Sequence, residues 1–466
     1  MYGLGGIISK VIPLLMVPIV TRLMPSTDYF GISDLSNTVV NFFSSVAIIG
    51  MYDAMYRLFF DKDDEEYKRT VCSTTFTFTL ATSVVVFLFM FLLRNVIAEY
   101  FFSDKQYAYV VYISAMATLV GATNGIISAP TRMQNQRKIF LIANTLGPIV
   151  SYSISIPLLL KGYYVVALPL AALVSNAIIE LMFGCLNRGW FSFKYFDKKL
   201  LKPLLVIALP LFPNFLVYWL FNSCDKLMIT NMIGIGASGI YSVGSKLGNC
   251  SQLIYTAFAG GWQYFAFSTM KEDNQVKSNS VIFEYLGIIS FVATAFVTVL
   301  SSLIFKILFT EQYYEGFVVA PYLFLAPLLL MLFQVACNQF IVVKKTWPNT
   351  LILSCGAIFN VVLNFALIPV LGIEGASIAT LMGYIVADIV CAIVLIKMKL
   401  MVLDKKFIVS ALLMALFLIV WRISILENTI LGLIVAICFS IAWLFLYRTD
   451  INKFIVMIRN RAKESE

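Results

Sequence analysis

The sequence predicts an all-α, polytopic membrane protein of about 14 transmembrane helices, arranged as two like-oriented six-helix lobes followed by two further helices. Three observations predict it. First, 60% of the 466 residues are hydrophobic and 13% are charged, with a mean hydropathy of +0.89. A soluble domain is about half apolar and a quarter charged. This chain therefore has too little polar surface to cover a water-exposed fold of its size. Second, runs of about 20 apolar residues, the length that crosses a bilayer as a helix, recur from end to end. Third, a weak pattern of residues recurs between the two halves at nearly one offset.

In chain order the expected spans are 4–24, 29–51, 72–93, 108–129, 140–160, 163–186, 203–223, 236–262, 281–304, 316–341, 350–371, 375–396, 407–426 and 429–447. The first carries Lys10, Pro13, Pro18 and Arg22 and is followed by no cleavage site of signal type, which marks a retained helix. Prolines in or near spans (also Pro157, Pro210, Pro213 and Pro369) free backbone groups and suit bending helices. Connections between spans stay within roughly 20 residues, too short for a separate catalytic or binding domain.

The repeat has a shift of about 207 or 208 residues. Gly31-Ile32 recurs as Gly239-Ile240, and Asn41 as Asn249. Phe102-x-Asp104-x-x-Tyr107 recurs as Phe309-x-Glu311-x-x-Tyr314, and Arg137 as Lys345. Ala171-x-Leu173 with Glu180 recurs as Ala379-x-Leu381 with Asp388. Six spans separate the copies, so the copies insert in the same direction and suit alternating access. Residues 1–200 and 201–400 are the expected lobes, and 401–466 holds two additional helices and a basic cytoplasmic tail.

Charge placement gives the orientation. About 25 of the 34 Lys and Arg residues fall in alternate loops and the C-terminal tail, and about seven on the opposite side. Both termini are therefore expected in the cytoplasm. The chain has no histidine, which excludes histidine general-base catalysis, Ser–His–Asp triads and di-histidine zinc sites. Its eight cysteines are scattered, without a CxxC pair, and read as buried free thiols. No cofactor, metal or nucleic-acid partner is expected.

Ionisable residues within spans carry the chemical information, since each costs at least about 2.5–3.5 kcal/mol at a helix centre. Lys10, Asp34, Glu180, Lys246 and Asp388 are such residues, with Arg22, Arg57, Asp225 and Lys226 at span edges. Lys10 either faces a cavity or snorkels to headgroups. Lys246 lies about ten residues into its span, where snorkelling is harder. Arg57 is either functional or an ordinary inner-side cation. Glu180 and Asp388 sit at matching places, for inter-helix hydrogen bonding or ion coupling, and Asp34 shares that reading. Arg22, Asp225 and Lys226 lie near the outer surface, where they form an expected outer gate. Cations in an apolar cavity suggest an anionic cargo, phosphate above all.

The opening stretch Gly3 to Lys10, Pro13, Pro18, Thr21-Arg22-Leu23, Pro25 and Asp28-Tyr29-Phe30-Gly31 resembles the polysaccharide transporter family. The second half adds Asn222-x-x-Asp225-Lys226, Gly239-Ile240-Tyr241-Ser242-Val243 and Gly372-Ile373-x-Gly375-Ala376. That family includes the Wzx-type O-antigen and capsule repeat-unit flippases, within the superfamily of multidrug, oligosaccharidyl-lipid and polysaccharide exporters. The resemblance implies two six-helix lobes around a central cavity. It implies a flippase moving undecaprenyl-diphosphate-linked oligosaccharide from the inner to the outer leaflet of the bacterial cytoplasmic (inner) membrane. By span, Lys10, Arg57 and Lys246 match the family's diphosphate-binding cations, with Arg22 as a fourth. The implied partners are the polyprenyl-diphosphate-linked oligosaccharide, membrane lipids, a polysaccharide polymerase and a chain-length regulator.

Two rivals remain. A cation-coupled multidrug exporter shares the architecture, but the first acid after Met1 is Asp28, so no aspartate lies inside the first span. A membrane-embedded glycan polymerase would present acid–base groups on sizeable outer loops, and those loops are short here.

Overall fold

The computed structural model describes the backbone of residues 2–450 except 271, 273 and 346. Lys271, Lys453, Arg459, Arg461 and Lys463, which entered the inner-side charge count, lie outside the described residues. Among the described residues there is no strand. The helices are α1 (Tyr2–Leu23), α2 (Thr27–Ile48), α3 (Met51–Phe59), α4 (Glu65–Leu92), α5 (Arg94–Phe102), α6 (Ala108–Met133), α7 (Arg137–Leu160) and α8 (Tyr164–Leu186). They continue as α9 (Lys198–Met232), α10 (Ile235–Gly248), α11 (Ser251–Ser268), α12 (Gln275–Leu308), α13 (Ala320–Val342), α14 (Trp347–Lys397), α15 (Lys405–Val420) and α16 (Thr429–Leu446).

The expected spans map onto these helices in order. Among the described residues ten helices are long and apolar enough to cross a membrane, or eleven with α2 and α3 taken as one span bent by 47°. Two expected spans lie in α14, as two helical arms that meet at Gly372, where the backbone leaves the helical region. Helix α1 and the pair α10–α11 fill the remaining places. Polar caps set the starts: Ser26 accepts from Asp28 N, Asp64 from Glu66 N and Tyr67 N, and Asp197 from Lys199 N. Each cap satisfies amides that would otherwise be orphaned at a helix end. In the loop before α4, Lys68 hydrogen-bonds Asp63 and holds its carboxyl below the usual range.

The repeat is legible in the helix ends. The fourth span of the first half closes with Gln136 N donating to Thr131 O across Asn135 at φ 59°. Its counterpart closes with Lys345 N donating to Phe340 O across Lys344 at φ 60°. This is the 6→1 bond of a left-handed helix cap. Both copies of the Phe-x-acid motif lead into 3-10 turns, Lys105–Tyr107 and Glu311–Val318. Gly162 at φ 87° and Gly372 at φ 59° turn the chain at corresponding points before the sixth span of each half.

Gly372 has ψ −135°, a region open in practice to glycine alone. Gly372→Ala is expected to cost about 1–3 kcal/mol. A lowered melting temperature of the purified protein in detergent checks this, and an unchanged one would show that α14 relaxes to a straight helix.

The packing divides the chain into two units, residues 1–243 with 357–380, and 244–356 with 381–466. The lobe boundaries at 200 and 400 belong to the repeat and remain a proposal distinct from these units. In the first unit Ile32, Leu35, Val39 and Phe43 of α2 pack with Met90 of α4, Phe101 and Phe102 of α5 and Val110 and Val111 of α6. A second cluster joins Met51, Met55 and Phe59 of α3 to Cys72, Ile126, Met133 and Leu204. In the second unit α13 is central, with 89% of its most apolar stretch buried. The cysteines are all free, but only Cys72, Cys337 and Cys391 are buried. The exposed Cys355 and Cys438 lie in apolar spans, where lipid replaces protein as the surrounding.

Candidate functional site

The described part of the first unit holds a buried polar network assembled from four helices. It begins at a close crossing of α2 and α10. A Cβ on Gly31 would strike the carbonyl of Ile235, and a Cβ on Gly239 would strike the carbonyl of Thr27. Each carbonyl lies four residues before the opposite glycine, so the contact is pseudo-symmetric. Small residues let helix backbones approach in this way inside a bilayer. The repeated Gly-Ile pairs of the sequence are thus the two sides of one contact.

One turn further along, the same symmetry sets Asp34 against Ser242. The Ser242 hydroxyl donates to Asp34 Oδ2 at 2.8 Å. Lys226 Nζ on α9 forms an ion pair with the same carboxylate at 2.5 Å. Asp34 is 4% exposed, and its cation partner is mostly covered. A carboxylate so placed needs a partner, since insertion of a bare charge is costly.

The residue before Lys226 serves a second cluster, because neighbours on a helix project about 100° apart. Asp225 is 3% exposed. It accepts hydrogen bonds from Tyr241 Oη at 2.6 Å, Thr380 Oγ1 at 2.5 Å and Asn364 Nδ2 at 3.0 Å. Asn364 also donates to Asn360 Oδ1 at 3.2 Å, and Asn360 donates to Thr380 at 3.0 Å. Asn364 Oδ1 is buried with no hydrogen-bond partner among the described residues. Three donors meet the two Asp225 carboxyl oxygens. Such oxygen atoms are the hard donors a cation takes. Among the described residues no group of three or more His, Cys, Asp or Glu could hold a metal.

The structure therefore brings three of the residues singled out from sequence, Asp34, Asp225 and Lys226, into one network. The others lie elsewhere. Lys10 on α1 and Arg22 at its end are exposed. Arg57 is exposed on α3 and pairs with Asp61 on the same face at 3.2 Å. Lys246 is exposed on α10 and belongs to the second unit. Glu180 on α8 is half-buried beside the Thr123 hydroxyl. Asp388, in the second unit, keeps both carboxylate oxygens buried with no hydrogen-bond partner among the described residues. Nearby, Cys391 and Cys337 bring their sulfurs to 3.7 Å.

Sequence reasoning missed Tyr241, Ser242, Asn360, Asn364 and Thr380 as participants. A search for charge passes over neutral polar groups. The signal was Asn360 and Asn364, two amides four residues apart in an apolar span, where polar residues usually bond across helices.

These features define a class before a family. Over 97% of this chain and 99% of the other, the fold is similar to a structure of the lipid II flippase MurJ in an inward closed conformation, with a TM-score of 0.75 and 13% identity. It is also similar to an inward-facing multidrug resistance MATE family transporter of the MOP superfamily, with a TM-score of 0.63 and 12% identity over 86% of this chain and 94% of that one. A MOP superfamily transporter from Pyrococcus furiosus matches 86% of this chain and 93% of its own length, at a TM-score of 0.57 and 13% identity. The fold is the one found in flippases and transporters of that superfamily. No curated protein matches the chain. A family profile described as "Polysaccharide biosynthesis protein" matches residues 19–318, and the chain belongs to that family.

Proposed function

We propose that the protein is a flippase that moves polyprenyl-diphosphate-linked oligosaccharide from the inner to the outer leaflet of the bacterial cytoplasmic membrane by alternating access. The product would feed O-antigen, capsule or exopolysaccharide synthesis, with a polymerase and a chain-length regulator acting next. The single observation that supports this reading is the polysaccharide-biosynthesis family match joined to the fold of a lipid II flippase over nearly the whole chain. Orientation follows the basic residues, with both termini inside.

On this reading Lys10, Arg22, Arg57 and Lys246 receive the diphosphate. The Asp34–Lys226 pair and the Gly31–Gly239 crossing form an outer gate, backed by Asp225. Glu180 and Asp388 are the acids proposed for ion coupling. An inside-negative potential favours export of the anion by about 2.3 kcal/mol per charge per 100 mV, so the potential can drive the step.

The test is flipping of fluorescent polyprenyl-diphosphate oligosaccharide in proteoliposomes, comparing the wild type with Lys246→Ala. The wild type is expected to flip, faster under an inside-negative potential, and the variant to lose most of the rate while remaining folded. A wild type that flips no glycan lipid but expels drugs from the same vesicles would overturn the reading in favour of a multidrug exporter, which the likeness to MATE structures favours.

A further inference from the structure

Inside the first unit, apart from the Asp34 network, α1, α6, α7 and α8 surround a cavity of about 390 Å³. A pocket that size is in the usual range for a small-molecule site. Its lining is unusual for the inside of a transmembrane bundle. Ser9, Asn124, Ser128, Asn144, Ser151, Ser175 and Asn176 all face it. Arg132 and Phe140 also line it, with the guanidinium 4.4 Å from the centre of the Phe140 ring. None of the lining residues is acidic.

Polar side chains in membrane bundles ordinarily bond to neighbouring helices. Some do so here: Ser175 donates to Gly147 O at 2.7 Å, and Asn144 to Phe140 O at 2.8 Å. Others do not. Asn124 Oδ1 is buried without a hydrogen-bond partner among the described residues. Among the described residues the Ser151 and Asn176 side chains form no hydrogen bond. Unpartnered amides and hydroxyls around a space of this size make it wet. An apolar occupant would expel that water and leave the amides unpaired. A ring bearing several hydroxyls would exchange water for ligand bond by bond, because asparagine offers both donor and acceptor. Arg132 donates to Tyr52 Oη at 3.3 Å and has no carboxylate partner among the described residues, so it adds a preference for a negatively charged ring.

We infer that this cavity is a sugar-binding subsite, taking one hydroxylated ring, with uronic acids held more tightly than their neutral parents. The inference deepens the flippase reading, since the ring would belong to the glycan of the cargo, yet it can be tested without any flipping.

The experiment measures melting of the full-length protein in detergent with free sugars at millimolar concentration: glucose, galactose, N-acetylglucosamine, glucuronic acid and galacturonic acid. At least one sugar is expected to raise the melting temperature of the wild type by 2 °C or more, with a uronic acid ahead of its neutral parent. Asn176→Leu on α8 and Ser151→Val on α7 are each expected to abolish the shift, and the second variant serves if the first fails to fold. No shift with any sugar, or a shift that survives in a folded variant, would overturn the subsite. Sugar binding without flipping of glycan lipid would retain the subsite and sink the flippase. Flipping by the wild type without any sugar-dependent shift would do the reverse.

Discussion

Lys226→Met is expected to cut transport about 100-fold and to lower the melting temperature by several degrees. The substitution removes the Lys226 cation, 2.5 Å from Asp34, from beside a carboxylate that is 4% exposed and also accepts from Ser242. Stripping one partner from a buried ion pair costs about 3–5 kcal/mol, because the other charge stays buried without its counter-charge. At 1.4 kcal/mol per tenfold, even the lower figure is on the order of 100-fold in the population of the conformation that needs the pair. The double variant Asp34→Asn with Lys226→Met removes both charges and is expected to melt close to the wild type. It should still flip slowly, because the proposed gate has lost its latch. This separates the two roles: stability follows uncompensated charge, whereas transport follows the pair itself. A Lys226→Met protein that melts and flips as the wild type does would make the pair a bystander.

The second large effect is expected at Gly239. A β-carbon there would overlap the Thr27 carbonyl and lie 3.1 Å from the amide nitrogen of Gly31. Both neighbours are backbone, which cannot swing aside as a long side chain does. Gly239→Val therefore has to push α2 and α10 apart, and Asp34, one turn on, moves away from Ser242. Flipping should fall below a tenth of the wild-type rate. Thiol reagents added from outside are expected to reach a cysteine placed at Ser242 only in the valine variant, in a background freed of native cysteines. Equal labelling in both backgrounds would mean that the crossing is already open. Gly31→Val should act in the same way, since the contact is pseudo-symmetric.

Much of the fold was legible in the sequence because the bilayer enforces a simple rule. Every backbone amide must bond internally, so each apolar run of sufficient length becomes a helix. The expected spans accordingly find their helices in order. What differed lay at the ends and breaks. The run 29–51 continues past Ile49 and Gly50 into the amphipathic α3, and 236–262 is divided at Asn249 and Cys250. Spans 350–371 and 375–396 are separate helical arms, as expected, but the chain passes from one to the other at Gly372 without a loop. Hydropathy averages over a window and is insensitive to one residue in a left-handed conformation.

The candidate site was legible only in part, and the reason is the same for each residue missed. Asp34, Asp225 and Lys226 stood out because burying a charge in a membrane is expensive whatever the neighbours are. That cost is a property of the residue and its depth, so one sequence reveals it. Ser242, Tyr241, Asn364 and Thr380 are cheap enough to occur anywhere in a span. They matter because α10 and the two arms of α14 present them to one carboxylate or another. The repeat was visible as Gly31-Ile32 and Gly239-Ile240, but that its two copies touch each other was not.

By itself, then, the sequence determined that this chain is a helical membrane protein of repeated halves, where its spans run, and which charges demand partners. Composition, periodicity and transfer cost act locally, and a local signal survives in a linear string. The tertiary structure alone decided that Lys226 answers Asp34 while Asp225 turns to Tyr241, Asn364 and Thr380, and that Ser151 and Asn176 face a shared cavity. Those choices depend on which helices cross and how closely, set by packing between residues hundreds of positions apart.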